Sequence, residues 1–209
     1  ESLERGGENA WAFAAEPAAW GRPESEVVER LAALGHDPVG AKAVIDTEIE
    51  AGRRRRVAGR IVGTKAFDAA AEAALDRLRA HQEASPMTVG LPREELRQFL
   101  GHTGSSHDFA RVLEVWAKEY PVFVRGDRVR ADTAEPPLDD AQREAVATME
   151  ARVREADPLF EAAPKDLEQP ALRLLVDSGR VIRLEGRLLV HRDRLDELAR
   201  RVEIGRAHV

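Results

Sequence analysis

Three glycine-centred hairpins, each preceded by helical stretches, constrain the fold of this 209-residue chain more than any other feature of its sequence. The hairpin glycines are Gly59, Gly126 and Gly186, which stand 67 and 60 residues apart. Alternating apolar and polar residues on both sides of a turn glycine predict a β-hairpin. Because the stretches before each hairpin have the apolar spacing of helices, the sequence predicts a repeat of one small module.

The middle copy shows this order most clearly. A long helix is predicted from Thr64, and a shorter one over residues 91–100. In the short helix, Leu96, Phe99 and Leu100 fall on one side. In the next helix, apolar residues at intervals of three and four predict a core stripe, namely Phe109, Val112, Leu113 and Trp116. A hairpin that turns at Gly126 completes the copy. Three helices followed by a hairpin are the order of a winged-helix module.

The other two copies repeat this order less perfectly. Residues 141–156 and 171–177 have helical spacing in the third copy, and residues 25–34 and 39–51 have it in the degenerate first copy. The predicted fold class is mainly α with small β-hairpins (α+β), in tandem winged-helix modules. The predicted domains are a degenerate first module over residues 1–63, a second over 64–135 that opens with the long helix, and a third over 136–202.

Both ends of the sequence indicate a piece of a longer protein. The chain opens at Glu1 rather than at a methionine. Residues 203–209 resemble the translation of a sequencing adapter, so we expect them to be a non-native C-terminal scar and leave them out of the fold prediction.

Composition excludes several classes of function. The chain has no cysteine, so it has no disulfide framework and no thiolate ligand for zinc. Its apolar runs are far shorter than the roughly 20 residues that span a bilayer. We therefore expect a cytoplasmic protein, monomeric and without a membrane partner. The histidines lack metal-ligand spacing and the carboxylates lie in amphipathic helices, so neither an enzyme site nor a metal or cofactor site is predicted for this stretch.

Arginine clusters provide the candidate binding residues. The formal net charge is −6, so a nucleic-acid site has to be a local patch. The first hairpin carries five arginines and no acid, and guanidinium groups match phosphate bidentately. The predicted contacts to an RNA backbone are Arg53, Arg54, Arg55, Arg56 and Arg60, followed by Arg125, Arg128 and Arg130 of the second hairpin. The alternative is a solvated hairpin whose charges are balanced by neighbouring helices.

Aromatic residues near the start of the chain allow two interpretations. Trp11, Phe13 and Trp20 fall within ten residues of one another. They are predicted to form the core of the first copy's opening helix, or alternatively a surface on which bases stack.

The second and third copies also resemble a known family. Residues 81–86, 90–97, 109–116 and 126–130 are similar to the C-terminal winged-helix region of the bacterial selenocysteine-specific elongation factor. Residues 174–183 and 190–198 resemble that region's third winged helix and the helix that leaves it. The resemblance extends from about residue 66 to residue 202 and is weak before it.

The resemblance implies a role in translation elongation, in which selenocysteine is incorporated at UGA codons. In this family an N-terminal part binds GTP, magnesium and selenocysteyl-tRNA, and a last winged helix reads the insertion hairpin of the messenger RNA; we expect both parts to be missing here. This stretch would be an RNA-associated spacer in protein biosynthesis. It would link the GTP-binding body at the ribosome to the hairpin reader, without a cofactor of its own.

Two other functions fit a tandem winged-helix chain. One is a DNA-binding regulator, in which the third helix of a module enters the major groove; the mixed charges of Arg111, Glu114, Lys118 and Glu119 on that helix argue against it. The other is a protein-interaction array, which would have no salt-dependent affinity for RNA.

Overall fold

The computed structural model describes residues 19–156 and 159–197. These residues form helices and small antiparallel sheets, which confirms the α+β class. The elements of the first copy are β1 (Arg22–Pro23), α1 (Glu24–Ala33), α2 (Pro38–Glu50), β2 (Arg54–Val57) and β3 (Arg60–Gly63). The opening helix predicted for this copy lies outside the described residues.

Local chemistry explains the boundaries of the first copy. Asp37 caps α2 by accepting a hydrogen bond of 2.7 Å from the Gly40 amide, and Pro38 fits the first helical turn because that position needs no amide donor. Gly21 precedes β1 with a φ of +54°, and a Cβ there would lie 2.0 Å from the Ile61 carbonyl oxygen. The close approach of β1 to β3 therefore requires glycine.

The second copy follows the predicted order of elements. Its elements are α3 (Thr64–Ala84), β4 (Leu91–Pro92), α4 (Arg93–Phe99), α5 (Ser106–Glu119), β5 (Val122–Arg125) and β6 (Arg128–Ala131). Ser105 caps α5 in a reciprocal capping box with Asp108. The predicted stripe of α5 is confirmed as core, since all of its members are buried: Phe109, Val112, Leu113 and Trp116.

One apolar residue of the short helix in this copy is exposed. Phe99, the last residue of the short helix α4, exposes 54% of its surface, whereas Leu96 is fully buried. The ring of Phe99 instead lies below the Arg77 guanidinium, at 5.8 Å from centroid to Cζ.

The third copy has the same order with shorter elements. They are α6 (Asp140–Glu155), β7 (Phe160–Glu161), α7 (Pro164–Leu167), α8 (Pro170–Asp177), β8 (Val181–Arg183) and β9 (Leu188–His191). Residues 192–197 are helical. Its core joins α6 and α8 through Met149, Val153, Leu172 and Leu175.

The three sheets share one topology. Their strand orders are β1-β3-β2, β4-β6-β5 and β7-β9-β8, so the short first strand of each copy pairs with the last strand of its hairpin. All three predicted hairpins are confirmed, with antiparallel pairing on both sides of the turn.

The described chain divides into two compact units. Unit 1 contains the described residues up to Arg79 together with Pro92–Asp132, and unit 2 contains Ala80–Leu91 and the described residues from Thr133 onward. In unit 1 an aromatic cluster joins the first copy to the second. Its rings stand 4.8 to 6.3 Å apart and belong to Trp20, Phe67, His102, Phe109 and Trp116.

Candidate nucleic-acid interface

Two arginines of the first hairpin, Arg53 and Arg56, contact carboxylates of the helices of their own copy. Arg53 Nη2 lies 2.6 Å from Glu48 Oε1. Arg56 reaches two helices at once, with Nη2 at 3.1 Å from Glu24 Oε1 and 2.8 Å from Asp46 Oδ1. These hydrogen bonds raise the pKa of Arg53 and of Arg56.

Arg55 contacts the second copy instead. Its Nη1 donates a hydrogen bond of 2.7 Å to Glu119 Oε2 and lies 3.7 Å from Asp68 Oδ1. Its guanidinium carbon is 5.4 Å from the centroid of the Phe67 ring, a distance at which a cation attracts an aromatic face. Arg55 therefore fastens the first hairpin to α3 and α5.

Arg60 holds the backbone that leads into β1. Its Nε donates to the Trp20 carbonyl oxygen at 2.7 Å and its Nη2 to the Gly21 carbonyl oxygen at 2.8 Å. Arg54, on β2, is half-buried.

The first hairpin is thus nearly balanced in charge. Within 4.0 Å of its arginines lie five carboxylates, those of Glu24, Asp46, Glu48, Asp68 and Glu119. Exposed pairs of this kind contribute about 0.2–1 kcal/mol each, so they give little stability but cancel most of the positive potential. This geometry matches the balanced hairpin that the sequence offered as the alternative to a phosphate site.

The second hairpin presents a different outer face. Its register pairs Phe123 with Arg130 and Arg125 with Arg128, and cross-strand partners point to the same side of a sheet. Arg125 is exposed and Arg128 half-buried, with Arg128 Nε 3.6 Å from the carboxylate of the neighbouring Asp127. Arg130 is only 2% exposed, and burial lowers its pKa.

Phe123 on this face was missed by the sequence-based choice of site residues. It exposes 41% of its surface, although the Val122 beside it is buried. The alternation of β5 could have predicted that Phe123 is exposed. Phe123 lies on the same side of the strand as Arg125, and the core residue Val122 lies on the other side.

Trp20, an aromatic candidate of the first copy, does not form part of a surface. Trp20 is 3% exposed and its ring lies 4.8 Å from that of His102, so it belongs to the core of unit 1 and does not offer a face for a base. Trp11 and Phe13 lie outside the described residues.

In unit 2 the charged residues are organised around a buried carboxylate. Glu150 is 9% exposed and accepts a hydrogen bond of 2.9 Å from Arg180 Nε, while His191 Nε2 lies 3.0 Å from Glu150 Oε1. On the third hairpin, Arg187 Nη2 pairs with Glu161 at 3.2 Å. These contacts link β9 and the residue before β8 to α6, and the residue before β9 to β7. We therefore assign them a role in stabilising the fold of unit 2.

Within residues 19–156 and 159–197 there is no group of three or more His, Asp or Glu side chains placed to hold a metal ion. None of the helices described there combines the length and the apolar character needed to cross a membrane.

Comparison with known proteins adds no identity. No family model matches the chain, and no curated protein matches it either.

Proposed function

We propose that this chain is the winged-helix spacer region of a selenocysteine-specific translation elongation factor, non-catalytic and associated with RNA. The observation that carries the proposal is the threefold repetition, in the described residues, of one order of strands and helices with one sheet topology. Two of the stretches that carry the resemblance coincide with elements of the described chain. Residues 90–97 cover β4 and the start of α4, and residues 174–183 cover the end of α8 and all of β8.

The construction of unit 1 supports a spacer role. A spacer that relays a signal between two ends needs modules that keep a fixed arrangement, and the first two copies share one aromatic core and the Arg55–Glu119 ion pair. Interdigitated aromatic side chains resist relative movement because protein cores are close-packed. In such a protein, RNA contact is less important than the fixed arrangement of the modules. The first hairpin fits this role, because carboxylates lie beside most of its arginines.

A DNA-binding regulator is disfavoured by the third helix of the second copy. That helix, α5, presents Glu114 and Glu119 beside Arg111 and Lys118, and Glu119 is held by Arg55. Carboxylates on a helix that enters a groove would meet phosphate repulsion.

The test is RNA binding against salt concentration, with a selenocysteine-insertion hairpin beside a scrambled hairpin of equal length. Weak and salt-sensitive binding of both RNAs to the same extent supports the spacer. A clear preference for the insertion hairpin would contradict it, because recognition would then reside in this region. Absence of binding at low salt would favour the protein-interaction array. An independent test is the coding sequence upstream, where the proposal requires a GTPase reading frame.

A further inference from the structure

We infer that the exposed side of α8 is a docking surface for an acidic peptide segment of a partner protein. The segment places apolar side chains in two neighbouring cavities and a carboxylate at Arg173 and Arg183. This surface goes beyond the proposed function and does not depend on its RNA association.

The first cavity lies between α8 and the third hairpin. Its volume is 330 Å³, at the lower end of the size of ligand sites in proteins. Its charged lining residues are Arg173, Asp177 and Arg183. Its apolar lining comes from Leu167, Leu172, Val176 and Leu189.

The second cavity lies between α8, the first turn of α6 and the residues that follow α3. Its volume is 420 Å³, and its apolar lining comes from Ala84, Pro86, Met87 and Pro170. Arg173 and Asp177 line both cavities, so the two adjoin along the exposed side of α8. All of these residues belong to unit 2.

Two arginines of this surface are available to a carboxylate. Arg173 is exposed, and within the described residues its hydrogen bonding is limited to a long contact of 3.4 Å from Nε to the Leu167 carbonyl oxygen. Arg183 is also exposed and forms no ion pair with a carboxylate of the described chain. By contrast, Arg187 on the same hairpin is paired with Glu161 at 3.2 Å.

The second cavity also offers a hydrogen-bond donor. Gln142 Oε1 accepts a hydrogen bond of 3.1 Å from the Asp139 amide, so its side-chain NH2 group remains for a ligand. Together with the guanidinium groups, this donor favours a partner rich in acceptors. Asp177 repels an acid, so the carboxylate of the partner has to lie nearer to Arg173 and Arg183.

An acidic peptide fits this surface better than RNA does. The residues that line the two cavities include no aromatic ring, so a base would find no ring on which to stack. Apolar pockets beside a charged rim are the usual anatomy of a contact between proteins. Because the net charge of the chain is −6, an acidic peptide is not attracted non-specifically and has to bind at a local site.

The experiment uses the whole chain and a fluorescently labelled peptide of about 10 residues, long enough to cross one helix, in which two leucines flank a pair of glutamates. Fluorescence anisotropy gives the affinity. A peptide with lysines in place of the glutamates is expected to bind about tenfold more weakly, because it meets the two arginines. A peptide with alanines in place of the leucines is expected to lose about tenfold as well, because it leaves the cavities unfilled.

The first variant removes the charge of the surface. Arg173→Ser with Arg183→Ser is expected to weaken binding of the acidic peptide about fivefold, as two exposed ion pairs are lost. The matched control is Arg143→Ser with Arg187→Ser, which removes the same charge from two exposed arginines of unit 2 that line neither cavity. The control is expected to leave the affinity unchanged.

The second variant fills a cavity. Ala84→Trp introduces a large side chain at an exposed position that lines the second cavity, and it is expected to weaken peptide binding about tenfold. Ala147→Trp, at an exposed position of α6 that lines neither cavity, is the control. Circular dichroism and thermal unfolding show that each variant keeps the fold.

Four outcomes would overturn the α8 surface or separate it from the proposed function. Failure of the acidic peptide to bind, or equal affinity for the acidic and the lysine peptides, would overturn the surface and leave the RNA-associated spacer intact. Peptide binding that persists unchanged in the Arg173/Arg183 and Ala84→Trp variants would also overturn it. Single-stranded RNA whose binding is lost in those variants would assign the cavities to RNA and refute the peptide. A chain that binds the acidic peptide through α8 but no RNA at low salt would contradict the proposed function alone.

Discussion

The Arg55 guanidinium of the first hairpin donates a hydrogen bond of 2.7 Å to the Glu119 carboxylate at the end of α5, across 64 residues of sequence. The pair lies beside the Phe67 ring and the Tyr120–Asp68 hydrogen bond. The pair connects the hairpin of the first copy to the third helix of the second. Within unit 1, an arginine whose guanidinium could bind phosphate therefore forms an ion pair between the two copies.

The Arg55–Glu119 pair is expected to couple the two copies weakly but measurably. In a double-mutant cycle of Arg55→Ala and Glu119→Ala, the coupling free energy of unfolding should be about 0.2–1 kcal/mol, because both side chains are partly exposed. Urea unfolding followed by tryptophan fluorescence measures it. The Arg53–Glu48 pair, which lies within one copy, is the control. If the single-variant effects of Arg55→Ala and Glu119→Ala are additive, the pair contributes no coupling free energy.

Truncation of Trp116 is expected to destabilise unit 1 strongly. The side chain is fully buried between Trp20, Phe67 and Phe109, so Trp116→Ala should cost about 3–5 kcal/mol of unfolding free energy. Its indole N–H makes no hydrogen bond with any described residue, so Trp116→Phe should cost clearly less than Trp116→Ala. Chemical denaturation followed by circular dichroism measures the unfolding free energy of both variants. An equal loss of unfolding free energy in the two variants would contradict the argument from ring packing.

The ionisation of Tyr120 is expected to occur far above the usual range. Burial and the hydrogen bond to Asp68 raise the pKa of Tyr120 to about 12. Tyr120 is the single tyrosine of the sequence, so its ultraviolet absorbance titrates without overlap from a second one. Asp68→Asn should lower this pKa towards about 10, because the nearby negative charge is removed.

The same shift fixes the direction of a stability effect. A raised pKa means that the folded state binds the Tyr120 proton more tightly, so this stabilisation is complete below about pH 10 and is lost as the pH rises through about 12. A Tyr120 that titrates near 10 in the wild-type chain would show that its hydroxyl is solvated.

Replacement of Glu150 is expected to destabilise unit 2. Burial raises the pKa of Glu150, but the His191 hydrogen bond and the Arg180 charge outweigh it and hold the pKa below its usual value. The carboxylate therefore contributes stability above the unfolded pKa of about 4.3, and this contribution is lost as the pH falls through the lower native value. Glu150→Gln should cost about 1–3 kcal/mol at neutral pH.

Hydrogen exchange of the α6 and β9 amides measures this change in unit 2. The control is Glu161→Gln, which removes an exposed carboxylate paired with Arg187 and should have a much smaller effect. The difference between wild type and Glu150→Gln should shrink below about pH 4; a difference that stays constant with pH would mean that the charge of Glu150 is not what stabilises the fold.

Removal of the carboxylates around Arg56 is expected to raise RNA affinity. Glu24→Gln with Asp46→Asn leaves the Arg56 guanidinium without its two charged partners, and the positive potential of the first hairpin then becomes available to phosphate. Fluorescence anisotropy with a labelled, unstructured RNA should show tighter binding at low salt and a steeper salt dependence. Unchanged affinity would show that this hairpin is not near the bound RNA.

Local sequence patterns predict much of the fold. The alternation around Gly126 predicts the second hairpin, and the three- and four-residue spacing of Phe109 to Trp116 predicts the buried stripe; the structure has both. These features follow from the sequence because turn geometry and the faces of helices and strands depend on residues close together in the chain.

The sequence alone did not determine which residues contact each charged or aromatic side chain in the folded chain. Arg55 and Glu119 are 64 residues apart, Trp20 is buried among rings of the next copy, and Arg130 is buried while Phe123 on the same face is open. Periodicity assigns a side chain to a face, but the elements that fold against that face determine whether it is covered, paired or available. For this chain, tertiary packing therefore placed carboxylates beside the arginines of the first hairpin and decided which side chains of the second hairpin are buried.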